Sequence, residues 1–224
     1  MKQTEELMSV LLGREITSLK KKILQMTALV EESVRKAVSA VRRKDDALAE
    51  EVIQSDDRID FMENELEEEC LKILALHQPV ATDLRYVVVC LKINNDLERI
   101  GDLAVNIAER AKAISGEEDD FMPESIPKMI DASIAMLKKS LDAFIEMDAN
   151  LAREVSLMDD VVDELNRGMY LEVKKLIMGE PERTGYLLHI LGVSRQLERI
   201  GDYAVNISED VVYMIDGKIV RHSK

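Results

Sequence analysis

Oxygen-bearing side chains recur at one spacing in two separate parts of the chain. Residues 97–109 (LERIGDLAVNIAE) and residues 197–209 (LERIGDYAVNISE) are identical at eleven of thirteen positions. A helix turns by about 100° per residue, so side chains spaced i, i+4, i+8 and i+11 share one face. The polar residues at these positions are Glu98, Asp102, Asn106 and Glu109 in the first segment and Glu198, Asp202, Asn206 and Glu209 in the second. The sequence therefore predicts two helical faces with the same oxygen donors.

A second kind of acidic pair precedes each of these segments. Residues 45–60 match residues 148–163 at eight of sixteen positions, and both blocks contain D-x-x-x-D at the i, i+4 spacing of one helix face. Beyond this pair the copies diverge, since Glu63 in the first aligns with Asn166 in the second. The shared pairs, which are the better candidates, are Asp56 with Asp60 and Asp159 with Asp163.

Paired carboxylates oppose helix formation, because like charges at i, i+4 cost about 0.2–0.5 kcal/mol per pair. One interpretation is an ordinary solvated face, balanced by Arg99, Arg110 and neighbouring lysines. The repetition favours another, in which carboxylates from adjacent helices converge on a cation. Carboxylate and amide oxygens suit hard ions such as iron, Mn²⁺, Mg²⁺ or Ca²⁺. None of the three histidines follows a Glu by three residues, so the spacing excludes a ferritin-like E-x-x-H centre.

Such a face also raises the question of catalysis. Two or three metal ions on a carboxylate site can position water against a phosphoester, so a metal-dependent phosphoester hydrolase is the alternative function. The chain contains no G-x-x-x-x-G-K-[ST] loop, no G-x-G-x-x-G dinucleotide motif and no G-x-S-x-G nucleophile motif. No histidine is placed to activate a nucleophile, and we therefore predict a binding protein rather than an enzyme.

The composition indicates which elements position these side chains. The chain of 224 residues is 46% hydrophobic and 33% charged, with nine Gly, four Pro and 4% aromatic residues, which favours helices over strands. The matched blocks occur in the same order, so they belong to a duplicated unit of roughly 100 residues. Helix-breaking residues divide each unit into three helices, and short turns make neighbouring helices antiparallel. We predict an all-α fold of two tandem three-helix bundles with six long antiparallel helices.

The predicted domains are residues 1–116 and 117–224, joined by a linker at 115–127 that contains an acidic run and two prolines. The formal net charge of −14 repels phosphate backbones, so no nucleic-acid partner is expected. The first residues, MKQTEELMSV, do not resemble a secretory leader, and no apolar run approaches the roughly 18 residues of a membrane span. We expect a cytoplasmic protein.

Two pairs of small residues carry packing predictions. Gly101 and Gly201 lie inside the repeated helix, where glycine costs about 1 kcal/mol relative to alanine, so they are predicted to mark close packing. Cys70 and Cys90 fall in apolar stripes and are predicted to be buried thiols rather than a disulfide framework.

Three motifs together resemble the PhoU family. They are LERIGD-x-AVNI in the third helix of each unit, DD-x-x-D in each second helix, and QPVATDLR at residues 78–85. The resemblance covers nearly the whole chain. It implies a pair of three-helix bundles, often a homodimer, that regulates the phosphate-starvation response negatively from the cytoplasm. It also implies two partners, the ATPase subunit of the phosphate ABC transporter and a phosphate-sensing histidine kinase, with contact to membrane complexes only at their periphery.

The same resemblance implies metal ions at the repeated acidic motifs, including multinuclear iron clusters in some family members. Carried over by motif, the ligands would be Asp56, Asp60, Glu98 and Asp102 in the first bundle and Asp159, Asp163, Glu198 and Asp202 in the second, with Asn106 and Asn206 extending the faces. The second unit has ERTGYL where the first has DLR, so any role of Asp83 and Arg85 is confined to the first bundle.

Overall fold

A computed structural model describes residues 2–116 and 121–218, with side chains from residue 10 onward. Within these ranges it contains no strand, and three consecutive helices form each of two bundles, which confirms the predicted fold class. A 3₁₀ turn at Pro181–Arg183 precedes the last helix. The helices are α1 (Lys2–Arg43), α2 (Asp46–His77), α3 (Ala81–Ile114), α4 (Ser125–Glu146), α5 (Ala149–Gly179) and α6 (Thr184–Asp216).

The first turn of each bundle is built in the same way. Lys44 and Met147 follow α1 and α4 with φ of 52° and 56°, the left-handed conformation that ends many helices. The next residue then caps the following helix, because the Asp45 carboxylate accepts a hydrogen bond from the N–H of Leu48 at 3.0 Å. Asp148 caps α5 in the same manner. These are the breaks that the sequence predicts.

The predicted linker is too long at its carboxyl end. α4 begins at Ser125, so Pro127 lies in the first turn of a helix rather than in a connection. Proline is tolerated there because the first N–H groups of a helix have no partner within the helix. The predicted boundary between residues 116 and 117 falls at the edge of residues 117–120, which lie outside the described residues, and it stays a prediction.

The apolar stripes of the helices meet in one continuous core. Leu97, Ile100 and Ala104 of the repeated segment are fully buried, and so are their counterparts Leu197 and Ile200. α3 packs against α1 and α2 and also along α6, while α1 touches α4. The two bundles are therefore joined through α3 and α6, the helices that carry the repeated segments, and α2 and α5 lie outermost.

The interface between α3 and α6, here called the seam, has different residue pairs at its two ends. Lys92 of α3 donates to the buried carboxylate of Asp210 on α6 at 2.9 Å. The aligned positions hold Gly192 and Arg110, and the Arg110 guanidinium occupies the space that a side chain at 192 would need. Arg110 thus lies between α3 and α6. The solvated-face interpretation assumes that it balances the acidic face, and in the structure it does not.

Both cysteines are free and buried, which confirms their prediction. Burial raises the pKa of the Cys70 and Cys90 thiols to about 12, so neither forms a reactive thiolate at neutral pH. None of the described helices combines the length and the apolarity that a bilayer span requires.

Candidate functional site

The first acidic face, defined by Asp56, Asp60, Glu98 and Asp102, lies where α2 and α3 run antiparallel. Burial raises the pKa of Asp56 to about 6, and the negative charges of Asp60 and Asp102 contribute to that shift. Burial also raises the pKa of Glu98, followed by the charge of Asp102 and more weakly by Asp60. The structure thus brings the predicted carboxylates of two helices into one electrostatically coupled group.

The second acidic face, defined by Asp159, Asp163, Glu198 and Asp202, repeats this arrangement between α5 and α6. Burial is the main cause that raises the pKa of Asp159, and the charges of Asp163 and Asp202 add to it. Burial and Asp202 raise the pKa of Glu198, and burial and Asp163 raise that of Asp202. A carboxylate is disfavoured at each of these positions unless positive charge is supplied nearby.

Little positive charge is available to the first face from the protein itself. Arg99 approaches Glu98 at 3.4 Å and Asp102 at 3.7 Å, and its side chain is half exposed, so water screens both contacts. Within the described residues, no three His, Cys, Asp or Glu side chains stand in an arrangement that could hold a metal ion.

The two asparagines sit less centrally than the carboxylates. Asn106 is exposed, and its amide nitrogen donates to the main-chain carbonyl of Asp102 at 2.7 Å. That bond ties the amide nitrogen to its own helix and leaves the amide oxygen, the atom that would ligate a cation, available. Asn206 is half-buried at the matching position of α6. The role of both residues as ligands stays a prediction.

Gly101 brings α2 close to α3 beside the first face, as predicted. A Cβ atom at this position would lie 3.0 Å from Cδ1 of Ile59, 3.3 Å from its Cγ2 and 3.6 Å from Oδ1 of Asp56. The absence of a side chain therefore lets Ile59 fill the groove and sets Asp56 against α3. The matching Gly201 is less confined, since its nearest neighbours would be Met136 and Val162 at 3.6 Å.

Glu63 also belongs to the first face, although the second copy has Asn166 at this position. Asn94 donates a hydrogen bond to the main-chain carbonyl of Glu63 at 2.9 Å, and this bond does not involve the Glu63 carboxylate. Burial raises the pKa of Glu63, with further contributions from Glu67 and Asp60. The sequence signal for Glu63 is its i+7 spacing from Asp56, which places both on one helix face. A site defined only by residues present in both copies leaves Glu63 out, because Asn166 replaces it in the second.

Arg85 has a structural position between the bundles. Its Nε donates to the main-chain carbonyl of Met214 at 3.3 Å, at the carboxyl end of α6 where such carbonyls lack helical partners. Asp83 is exposed in the first turn of α3. The contact of Arg85 therefore reaches the second bundle and is not confined to the first, and a functional role of Asp83 or Arg85 stays a prediction.

The model of the PhoU domain matches the chain twice, at residues 23–111 and 126–211. The chain belongs to the PhoU family. The "phosphate-specific transport system accessory protein PhoU homolog 1" of Thermotoga maritima is 37% identical over 92% of this chain and 89% of its own length. The corresponding PhoU homolog of Pseudomonas aeruginosa is 38% identical over 93% of this chain and 86% of its length.

Solved PhoU structures share the fold. The crystal structure of PhoU from P. aeruginosa superposes with a TM-score of 0.88 at 37% identity, covering 92% of this chain and 99% of that one. The phosphate transport system regulatory protein PhoU from Streptococcus pneumoniae gives 0.82 at 30% identity, covering 93% and 99%. PhoU proteins are non-enzymatic accessory regulators, so this chain has a regulatory role in phosphate transport and is not an enzyme.

Proposed function

We propose that this PhoU protein is a metal-binding adaptor that restrains the phosphate-starvation response from the cytoplasm. In this proposal it links the ATPase subunit of a phosphate ABC transporter to a phosphate-sensing histidine kinase. The observation that supports metal binding most directly is the acidic face built twice, in which burial, and then the charges of neighbouring carboxylates, raise the pKa of Asp56 and Glu98 on the first face and of Asp159 and Glu198 on the second. Support for the transporter link comes from the relatives, which are named accessory proteins of the phosphate-specific transport system.

The residue types on each face fit a hard cation. Carboxylates are the ligands preferred by iron, Mn²⁺, Mg²⁺ and Ca²⁺, and the described faces contain no histidine or thiol that would favour zinc or copper. Asp56, Asp60, Glu98 and Asp102 would hold the ion or a multinuclear cluster on the first face. The bound ion would supply the positive charge that these side chains lack, and would thereby fix their rotamers and the surface that a partner meets.

Metal binding is tested by elemental analysis of the protein purified without chelator. We expect at least one bound metal ion per chain and a higher melting temperature on metal titration. Glu98→Gln with Asp102→Asn should lower the metal content, because amides are weaker ligands for these ions than carboxylates. The matched control is Glu65→Gln with Glu68→Gln, two exposed acids on the outer face of α2. Less than one metal ion per chain, with no thermal stabilisation, would contradict a metal site.

The regulatory role is tested separately in cells. Deletion of the gene should switch on phosphate-starvation genes in medium rich in phosphate, and the wild-type gene should switch them off again. Unchanged expression in the deletion strain would contradict negative regulation. Complementation with Glu98→Gln and Asp102→Asn then asks whether regulation needs the first face. Co-purification of the transporter ATPase subunit and the histidine kinase with the tagged protein tests the adaptor role directly.

A further inference from the structure

The outer face of α5 carries apolar side chains that no other element covers. Leu157 is 78% exposed, Val161 55%, Leu171 68% and Met178 77%. Glu164, Gly168 and Lys175 are the exposed residues between them. These positions follow one another at alternating steps of four and three residues, the a/d spacing by which two helices pack in a coiled coil. We call the set the α5 outer stripe: Leu157, Val161, Glu164, Gly168, Leu171, Lys175 and Met178.

The matching helix of the first bundle lacks such a stripe. α2 and α5 share five buried positions at a constant offset, so their outer faces can be compared residue by residue. Phe61 is the large apolar residue at the aligned positions of α2. The full set there is Gln54, Arg58, Phe61, Glu65, Glu68, Lys72 and Ala75. The duplicated fold therefore does not require apolar residues on this face, and their presence on α5 calls for a partner.

We infer that the α5 outer stripe is a self-association surface, on which α5 of a second copy packs antiparallel. In an antiparallel pair the a positions of one helix meet the d positions of the other. Val161 then meets the partner's Met178, Glu164 meets the partner's Lys175, and Gly168 meets the partner's Leu171. Two-fold symmetry repeats each of these three contacts, so these layers are matched in size or in charge, while Leu157 lies opposite a position beyond the end of the partner's α5.

Charge complementarity selects a second copy as the occupant. The first half of α5 is net acidic, because Asp159, Asp160, Asp163, Glu164 and Glu154 outnumber Arg153. Its second half is net basic, with Arg167, Lys174 and Lys175 against Glu172. An antiparallel pair sets each acidic half beside a basic half. A parallel pair would instead stack Glu164 on Glu164 and Lys175 on Lys175, which is repulsive. The Glu164 and Lys175 layers therefore fix both orientation and register, as single polar layers do in coiled coils.

Gly168 gives a second indication of close helix contact. A Cβ atom built there would meet nothing within 4 Å, so the fold of the single chain does not need this glycine. An exposed glycine in a helix interior costs about 1 kcal/mol relative to alanine. Opposite the partner's Leu171, however, it provides the space that a leucine side chain fills. The family resemblance implies a homodimer but does not say which surface forms it. The self-association surface inferred here goes beyond the proposed function, because it does not depend on a metal.

Charge swapping tests the interface. The dissociation constant of the full-length protein is measured by analytical ultracentrifugation, with chelator present so that metal binding plays no part. Glu164→Lys places a lysine opposite the partner's Lys175 in each of two symmetric layers. It should weaken the dimer at least about tenfold, since each of the two broken ion pairs is worth about 0.7 kcal/mol. Lys175→Glu should act likewise, and the double variant should restore the affinity. Glu68→Lys on α2 is the matched control and should leave the dimer unchanged.

Cysteine cross-linking tests the register. The variants Val161→Cys and Met178→Cys are mixed, allowed to exchange and oxidised, and should form a disulfide between chains. Neither variant alone should do so, because the antiparallel register separates equivalent residues by roughly 26 Å along the helix. Gln54→Cys mixed with Ala75→Cys is the matched control on α2 and should stay uncross-linked. The native cysteines are buried and do not interfere.

Several results would overturn the inference. A wild-type protein that stays monomeric up to high micromolar concentration would do so, as would a dimer that is unaffected by Glu164→Lys. Cross-linking of Val161→Cys to itself would show a different orientation. Every substituted side chain is exposed, so circular dichroism should give wild-type melting of the monomer, which separates lost association from lost folding. Loss of metal content or of regulation leaves these outcomes unchanged.

Discussion

The two acidic faces share four carboxylates but differ in the residue that follows them on the outer helix. On the first face, Glu63 adds a carboxylate, because Asn94 bonds only its main-chain carbonyl. On the second face, the aligned residue is Asn166, whose side-chain oxygen accepts a hydrogen bond from buried Ser194 at 2.7 Å. Both copies thus join their two helices at this position, the first through the main chain of Glu63 and the second through the side chain of Asn166, so only the first keeps a side-chain carboxylate for the acidic surface.

The faces also differ in nearby positive charge. Arg167 lies one turn beyond Asp163 and contacts its carboxylate at 3.5 Å. The aligned residue of the first copy is the neutral Asn64, which donates to the main chain of Asp60. Arg99 and Arg199 occupy equivalent places on α3 and α6. A duplicated motif therefore does not guarantee duplicated affinity, and the first face should attract a cation more strongly than the second.

The largest expected effect is the loss of metal affinity when carboxylates are removed from the first face rather than from the second. Glu98→Gln with Asp102→Asn should lower the affinity for Mn²⁺ or Fe²⁺ at the tighter site by at least about tenfold, a free-energy change of 1.4 kcal/mol. Glu198→Gln with Asp202→Asn should leave that tighter site unchanged and affect only a weaker one. Isothermal titration calorimetry on both variants makes the comparison. If the second pair causes the larger loss, the ranking of the faces is wrong.

The next largest difference is expected between the effects of Gly101→Ala and Gly201→Ala on the free energy of unfolding. Gly101→Ala would press a methyl group onto fully buried Ile59 at 3.0 Å and lower the free energy of unfolding by about 1–2 kcal/mol. Gly201→Ala meets only ordinary contacts at 3.6 Å and should be neutral, or stabilise by up to about 1 kcal/mol through better helix propensity. Urea denaturation measures both. Equal effects would mean that Gly101 has no special packing role.

These contrasts also show what the sequence could predict. Helical periodicity, capping residues such as Asp45 and the repeat itself are local signals, so they predicted the helices and the four acids of each face. Which residue of α6 meets which residue of α3 depends on packing between distant segments. The sequence therefore cannot show that Arg110 lies between α3 and α6 rather than beside the acidic face, and it contains no local signal for the bond between Ser194 and Asn166. Pro127 was misread for another reason, since proline both ends helices and begins them.

The acidic pair on α2 should make stability depend on pH. The pKa of Asp56 is raised to about 6 in the folded protein and is about 3.9 when unfolded, so protonation favours the fold. This stabilisation is fully present below about pH 3.9 and is lost as the pH rises through about 6. Asp56→Asn should therefore stabilise the metal-free protein at pH 7.5 by less than about 1 kcal/mol, a value reduced by solvent screening, and not at pH 4.

Urea denaturation in the presence of chelator at both pH values measures this dependence. Asp159→Asn should act in the same direction, because burial, Asp163 and Asp202 raise the pKa of Asp159 too. Equal effects of Asp56→Asn at pH 4 and pH 7.5 would exclude titration of this carboxyl as the cause. Added Mn²⁺ should reverse the sign of the substitution at pH 7.5, since the ion favours the charged form that asparagine cannot provide.

The smallest expected effect comes from the arginine that distinguishes the faces. Arg167→Asn removes an exposed ion pair worth about 0.4 kcal/mol, so the cation affinity of the second face should rise about twofold. The reciprocal change, Asn64→Arg, should lower that of the first face by a similar factor. Raising the salt concentration should shrink both changes, because exposed charges are screened over roughly 8–10 Å at physiological ionic strength. Changes in affinity that persist at high salt would indicate that the substitution alters the helix rather than the electrostatic potential at the face. The difference in cation affinity between the faces would then depend on Glu63 and Asn166 alone.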